Sequence, residues 1–409
     1  MRVVSEEALS RHLAALRPTM PRVVAGGNGA TPWTVLRLVD DALPAYRLFV
    51  LNAAPGLPER DGVVLETPFI GAGMRGRPGL EYLPCRLSLV PAMLRTSTPP
   101  DVVLVTTSPP RNGTVSLGTE VNVLPAAIEA VHSRGGLVIA EVNRAMPYTF
   151  GDAVIDMGDI DLAVEVDEPL LEPAPRTQDP VAGLIGEQVA TLIPEQATLQ
   201  LGIGGVPDAV LESLLARRGL RVWSEMISDG VLALERKGAL DTDVPVVTSF
   251  AVGSPELYAW LDGNPRLVFA RTERTNDPAV IARQPGMTSV NSALQVDLFG
   301  QANASYVHGR AYSGFGGQTD FIVGALHAHG GRSIIALPSW HKRADVSTIV
   351  PALREPATSF QQSFVVTDQG VARLWGVSQR EQARELVENA AHPSAREELR
   401  AAAVELGLA

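Results

Sequence analysis

Glu225, in RVWSEMISDG, ends an apolar, β-rich run and stands beside Trp223 and Met226, just before a Ser-Asp-Gly turn. Strand ends in α/β folds are where ligands meet the sheet. A carboxylate in apolar surroundings is less hydrated, hence a better nucleophile or an acid of raised pKa. The same pattern also fits a structural ion pair. Upstream, LQLGIGGVPDAVL (199–211) reads as a strand, a turn at Gly202, Gly204 and Gly205, and a helix with Pro207 in its first turn. Free amides and the dipole at a helix start favour an anion or a developing oxyanion, although glycine serves any tight strand–helix turn. A second cluster, SGFGGQTDF (313–321), sets Gly314, Gly316 and Gly317 before a helical segment, with Gln318, Thr319 and Asp320 available as caps. The two turns either face each other over a ligand or are unrelated.

Lys342 and Arg343, in PSWHKRADVST, follow the strand-like SIIALP and so stand at its C-terminal end. They fit a phosphate clamp or an ordinary solvated loop. His327 and His329 precede Gly330-Gly331, where a histidine suits a helix C-terminus, and no further ligand stands at metal-binding spacing. No metal is expected. There is no GxSxG elbow, no GxGxxG and no GxxxxGK, so serine-hydrolase, nicotinamide and nucleoside-triphosphate readings all lose support. The one cysteine, Cys85, excludes an intrachain disulfide framework and a cysteine-rich metal site. A net charge of −11 argues against nucleic acid and anionic membrane surfaces. It does not exclude an anionic ligand, which local amides and a few cations can hold. Glutamates interrupt the opening segment where a signal peptide needs an apolar core, and no apolar run is long enough to span a bilayer. A soluble, cytoplasmic protein is expected.

Elements that could position these residues follow from patterning. With 409 residues, 45% of them apolar, the chain suffices for two or three domains. Residues 165–180 combine acidic residues with four prolines, which neither pack into a core nor sustain a helix. We therefore expect an N-terminal α/β domain over 1–170, a linker at 171–180 and a C-terminal α/β domain over 181–409. RVVAGGNGATPWTVL (22–36) opens the first half with the strand, glycine turn and proline-started helix that 199–211 repeats. Residues 101–118 read as two strands around an Asn-Gly turn, and 287–305 resemble them. Each is followed by a helical stretch, a Gly-Gly stop and a β-rich run, at 135–142 and 330–338. Strands alternating with helices indicate two related open α/β domains with parallel sheets. Such pairs usually take their ligand in the cleft between them. The tail after residue 380 reads as amphipathic helix.

Taken together, these motifs resemble the acetyl-CoA hydrolase/transferase family, and within it the 4-hydroxybutyrate and butyryl-CoA:acetate CoA-transferase type. In the first half SPPRNGTVSLGTEV (108–121), IAEVNRAMPYTFGD (139–152) and DIDLAVEVDEPL (159–170) carry the resemblance. In the second half LQLGIGGVPDAVL, SEMISDGV, TSVNSAL, DLFGQAN, GFGGQTDF and IIALPS do so. The resemblance implies the two-domain CoA-transferase fold and a ping-pong exchange of coenzyme A between carboxylic acids, through a glutamyl-CoA thioester. It places the nucleophile on Glu225. The coenzyme-contacting loop falls on Gln200, Gly202, Ile203, Gly204, Gly205 and Val206, the carbonyl-holding asparagine on Asn276, the paired glycines on Gly316 and Gly317, and the coenzyme-contacting lysine on Lys342. Acyl-CoA and a carboxylate are substrates; no permanently bound cofactor is expected, and the chain should form a homodimer or higher homo-oligomer. An acyl-CoA hydrolase using the same glutamate, and a non-catalytic acyl-CoA binder, remain alternatives. Three stretches depart from the family pattern: TDQG (367–370) in place of TEYG or TEQG, ATSFQQSF (357–364), and Gln295 in place of a glutamate.

Overall fold

Runs such as VVLVTT (Val102–Thr107) and LVIAEVN (Leu137–Asn143) are apolar on both sides of the pleat, as strands covered on both faces must be. They lie side by side in an eight-stranded sheet whose pairings are all parallel. Its order is Arg2–Val3, Leu162–Val166, Leu137–Asn143, Val102–Thr107, Arg22–Ala25, Tyr46–Val50, Val63–Thr67 and Glu81–Tyr82. A second sheet has six strands in the order Arg221–Val222, Thr198–Leu201, Thr288–Asn291, Arg332–Ala336, Phe364–Thr367 and Gly370–Arg373. Only its last pairing is antiparallel.

This computed structural model describes every residue except 17–18, 175–178, 203, 358 and 360. The chain divides into one unit of Met1–Pro173 with Val246–Thr275, and another of Ala174–Pro245 with Asn276–Ala409. The sequence expectation of an uninterrupted second half over 181–409 is thus corrected, because residues 246–275 return to the first unit. The reason is strand pairing. Leu267–Phe269 lies parallel between Val246–Thr248 and Phe150–Gly151. Thr272 Oγ1 then donates to Asn122 Oδ1 at 2.9 Å, and the Arg271 guanidinium pairs with Glu129.

Local expectations fare unevenly. The Asn-Gly turn forms, with Asn112 and Gly113 both at positive φ and Arg111 bridging to Thr114. Its flanking strands do not form a hairpin ladder, however. Val102–Thr107 belongs to the large sheet, whereas Thr114–Ser116 pairs with Val154–Asp156. Pro32 stands at the N-cap of the helix Trp33–Ala42 rather than within its first turn, and it supplies no side-chain cap. The tail becomes Gln379–Glu385 and Arg396–Glu405 with short helical turns between them. Its apolar face joins the core of the second unit, where Leu386, Val387 and Leu399 pack with Ile335 and Val365. No helix among the described residues is long and apolar enough to cross a membrane.

Candidate active site

The second sheet delivers its chemistry at strand ends. Glu225 follows the strand Arg221–Val222, whose pairing with the neighbouring strand continues to Trp223, where the amide donates to Leu199 O at 3.1 Å. Ser224 is buried and donates from Oγ to Leu201 O at 3.1 Å. These bonds lock the backbone on the approach to Glu225, and Ser228 occupies the N-cap position of the next helix, Asp229–Arg236, without a side-chain cap bond.

Asn276 is fully buried, and it stands where the chain re-enters the second unit. It lies between the one-turn helices Thr272–Thr275 and Pro278–Ile281, with Asp277 capping the latter through Ala279 N at 2.8 Å. Its side-chain amide Nδ2 donates to Glu225 Oε2 at 3.0 Å. Gly317 completes the group as N-cap of the helix Gln318–His327. A Cβ there would fall 1.9 Å from Glu225 Oε2 and 2.3 Å from Asn276 Nδ2. Both values are far inside van der Waals contact, so only glycine lets this helix start close on the carboxylate. The expectation that Gln318, Thr319 and Asp320 act as caps is corrected: all three lie inside the helix, and Gly317 takes the cap position.

The electrostatics follow from this packing. Burial pushes the Glu225 carboxyl up to about 7; the Asn276 hydrogen bond works the other way, and the negative charge of Asp320 adds to the rise. Asp320 is 1% exposed on the first turn of the Gln318–His327 helix. Nothing in the sequence reading singled it out beyond a cap. The available signal was its spacing of three from Gly317, which places the two on one helical face.

The glycine loop ends differently from that cluster. Gly204 caps the helix Gly205–Ser213 with φ 138°, a conformation that favours glycine, and no side chain caps the helix start. A Cβ at Gly202 would meet nothing within 4 Å, and one at Gly205 only the Ala182 methyl at 3.8 Å. These two glycines are therefore not packing requirements. Val206 lies in the helix's first turn; Ile203 lies outside the described residues.

Gln200 is buried, and its Oε1 accepts from Ser289 Oγ at 2.8 Å and from Asn291 Nδ2 at 3.1 Å. Ser289 and Asn291 sit on the adjacent strand, two apart and hence on one face. Sequence reasoning missed both, because strand register decides that contact.

Gly316 precedes Gly317 with φ 52°. The turn they share also borders a cavity of about 100 Å³ lined by Phe315, Gln318, Thr319, Tyr306 and Pro356 among others. Lys342 lies in the turn between Trp340–His341 and Val346–Ser347, is 74% exposed, and stands 3.8 Å from Asp179. Glu225, Asn276 and Gly317 are thus brought into contact, whereas Lys342 and Gln200 make separate contacts of their own. His327 ends its helix. Among the described residues no group of three or more His, Cys, Asp or Glu could hold a metal ion.

Two of the family departures are structural. Asp368 sits in the tight turn joining Phe364–Thr367 to Gly370–Arg373 and accepts from Ser339 N at 2.6 Å. Gln295 pairs with Asn303 in a short antiparallel ladder.

Comparison with known proteins gives a consistent result. The model of the acetyl-CoA hydrolase/transferase N-terminal domain matches residues 33–172, and that of the C-terminal domain matches 253–403. The chain is 41% identical over 331 residues to a 4-hydroxybutyrate coenzyme A transferase of Clostridium kluyveri, covering 78% of this chain and 76% of that protein. It is 37% identical over 406 residues to a succinyl-CoA:acetate/propanoyl-CoA:succinate CoA transferase of Fasciola hepatica, covering 92% and 83%. Among solved structures, RipA from Yersinia pestis superposes with a TM-score of 0.91 at 28% identity, covering 100% of this chain and 98% of that one.

Proposed function

The chain belongs to the acetyl-CoA hydrolase/transferase family, and on that premise we propose that it is a CoA-transferase moving coenzyme A between a short-chain acyl-CoA and a carboxylate such as acetate. The observation that carries this reading is the contact of Asn276 with Glu225 at 3.0 Å, with Gly317 closed against both. It supplies a nucleophile and a neutral donor in one place.

The cycle runs as two exchanges. A Glu225 carboxylate oxygen attacks the thioester carbon, the C–S bond breaks, and coenzyme A leaves as thiolate from a mixed anhydride. The thiolate then attacks the Glu225 carbonyl of that anhydride. Its C–O bond breaks, the first acid departs as carboxylate, and a glutamyl–CoA thioester remains. An acceptor carboxylate runs the same steps in reverse. Each addition creates a tetrahedral oxyanion, for which the Asn276 amide and the Gly317 N–H are the donors. Burial favours this chemistry because a poorly hydrated carboxylate of raised basicity is the stronger nucleophile once ionised. In this reading the loop of Gln200, Gly202, Gly204, Gly205 and Val206 with Gly316 contacts the coenzyme, and Lys342 meets its phosphates.

Incubation with acyl-CoA and no acceptor tests the proposal. The intact mass should rise by coenzyme A less one water, borohydride should trap the adduct, and peptide mapping should place it on Glu225. Glu225→Gln should bind acyl-CoA and form no adduct. Turnover without any adduct would overturn the mechanism. Coenzyme A release that added acetate leaves unchanged would favour hydrolysis by the same glutamate.

A further inference from the structure

Lys342, which the reading above gives to the phosphates of coenzyme A, stands near the tip of an antiparallel hairpin. Trp340 pairs with Ser347 and His341 with Val346, and residues 341–346 are all exposed. A two-stranded ribbon has little stability of its own, so what fixes it lies at its base. Within the tip the bonds are local. Ala344 N donates to His341 Nδ1 at 3.0 Å, Asp345 N to His341 O at 2.8 Å and Trp340 Nε1 to Asp345 Oδ1 at 3.0 Å. They shape the turn without tying it to the six-stranded sheet.

The base is held differently. Ser339, fully buried, is the last residue before the hairpin, and both of its donors end on Asp368. Ser339 N donates to Oδ1 at 2.6 Å and Ser339 Oγ to Oδ2 at 3.1 Å. The two feet are also bonded to each other: Thr348 N donates to Ser339 O at 3.2 Å and Thr348 Oγ1 to Pro338 O at 2.6 Å. Asp368 itself sits on a turn that the core fixes. Thr367 Oγ1 accepts from Gln369 N at 3.1 Å and donates to Ala390 O at 2.7 Å. Burial by itself would raise the Asp368 carboxyl. The Ser339 amide, the Gln369 side chain and the Ser339 hydroxyl outweigh burial and hold the group below the usual carboxylate range. Hydrogen bonds to an ionised acceptor are roughly twice as strong as neutral ones.

We propose that Asp368 is a positioning residue for coenzyme binding: by holding Ser339 through two charge-assisted hydrogen bonds it fixes the base of the Trp340–Ser347 hairpin, and with it the place where Lys342 meets the phosphates. The proposal rests on the reading of Lys342 as a phosphate contact. It gives the TDQG departure a part in substrate affinity rather than in the chemistry at Glu225. The physical reason is preorganisation. The ion pair of Lys342 with Asp179 is a surface contact at 3.8 Å, too weak to hold the lysine in place. A cation carried on a fixed hairpin loses less freedom when the ligand arrives than one on a wandering loop.

Steady-state kinetics of four proteins tests this: the parent, Lys342→Ala, Asp368→Ala and the double variant. Asp368→Ala should raise KM for acyl-CoA several-fold and leave kcat near the parent value, since the phosphates lie far from the reacting carbon. In the Lys342→Ala background the same substitution should add no further rise, because the cation it positions is gone. Asp368→Asn keeps an acceptor for the Ser339 amide and loses the charge, so KM should rise by a smaller factor. The same cycle is run with Asp368→Asn should Asp368→Ala not fold. A KM that rises with Lys342→Ala and is unmoved by the Asp368 variants overturns this inference alone. A rise by the same factor in both backgrounds does so too, because the effect then bypasses the lysine. A KM unmoved by Lys342→Ala overturns the reading of the lysine beneath it.

Discussion

Asn276 Nδ2 donates to Glu225 Oε2 at 3.0 Å, and the two residues stand 51 positions apart in the chain. An entire excursion into the other unit, residues 246–275, lies between them. The amide fixes one carboxylate oxygen and, being neutral, leaves the group able to take or lose a proton near neutrality. In the proposed cycle, that combination of a fixed position and an adjustable charge suits a carboxylate that alternates between ion and thioester.

Gly317→Ala should separate chemistry from folding. The backbone at Gly317 has φ −93°, which alanine adopts freely, so no backbone strain is introduced. The added methyl instead falls 1.9 Å from Glu225 Oε2 and 2.3 Å from Asn276 Nδ2. We expect kcat to fall about 10²-fold or more, the scale of losing one oxyanion donor. Overpacking should cost stability only about 1–3 kcal/mol. Steady-state kinetics beside a thermal melt checks both, and near-parent activity would remove Gly317 from the site.

Lys342→Ala should leave the fold alone. Its ammonium is largely exposed and pairs with a half-exposed Asp179 at 3.8 Å, a surface contact worth about 0–1 kcal/mol. If Lys342 meets the coenzyme's phosphates, far from the reacting carbon, KM for acyl-CoA should rise several-fold while kcat stays near the parent value. Unchanged KM would detach the lysine from coenzyme binding.

Glu141 makes a prediction about pH and stability in the first unit. Its Oε2 accepts from Thr34 N at 2.9 Å and Val35 N at 3.2 Å, capping the helix that Pro32 leaves uncapped. Burial nonetheless raises its carboxyl to about 7, against the Val35 amide, with the Glu168 charge adding to the rise. A carboxyl raised on folding binds more protons in the native state, so its contribution is fully present below about pH 4.5 and is lost as pH climbs through about 7. Glu141→Gln keeps an acceptor for the two amides and removes the titration. Relative to the parent, its melting temperature should therefore be higher at pH 8 than at pH 5. A difference that is the same at both pH values would show that Glu141 is not protonated in the native protein near neutrality.

By itself the sequence determined the α/β class, because doubly covered parallel strands need long apolar runs such as 102–107, and these announce themselves locally. Turns were legible for the same reason: Gly204 at φ 138° and Asn112-Gly113 at positive φ are demands of a few adjacent residues. Family motifs further singled out Glu225, Asn276 and Gly317 as positions, without saying that they touch. Tertiary structure alone decided that Asn276 bonds to Glu225, that Asp320 lies buried one turn behind Gly317, and that Gln200 is taken up by Ser289 and Asn291. It also returned 246–275 to the first unit, through the strand that pairs with Phe150–Gly151. Each of these contacts joins residues far apart in the chain, or depends on which strand lies beside which. Local propensity carries no record of such choices, because they are settled by which arrangement buries the apolar faces and pairs the backbone of the chain as a whole.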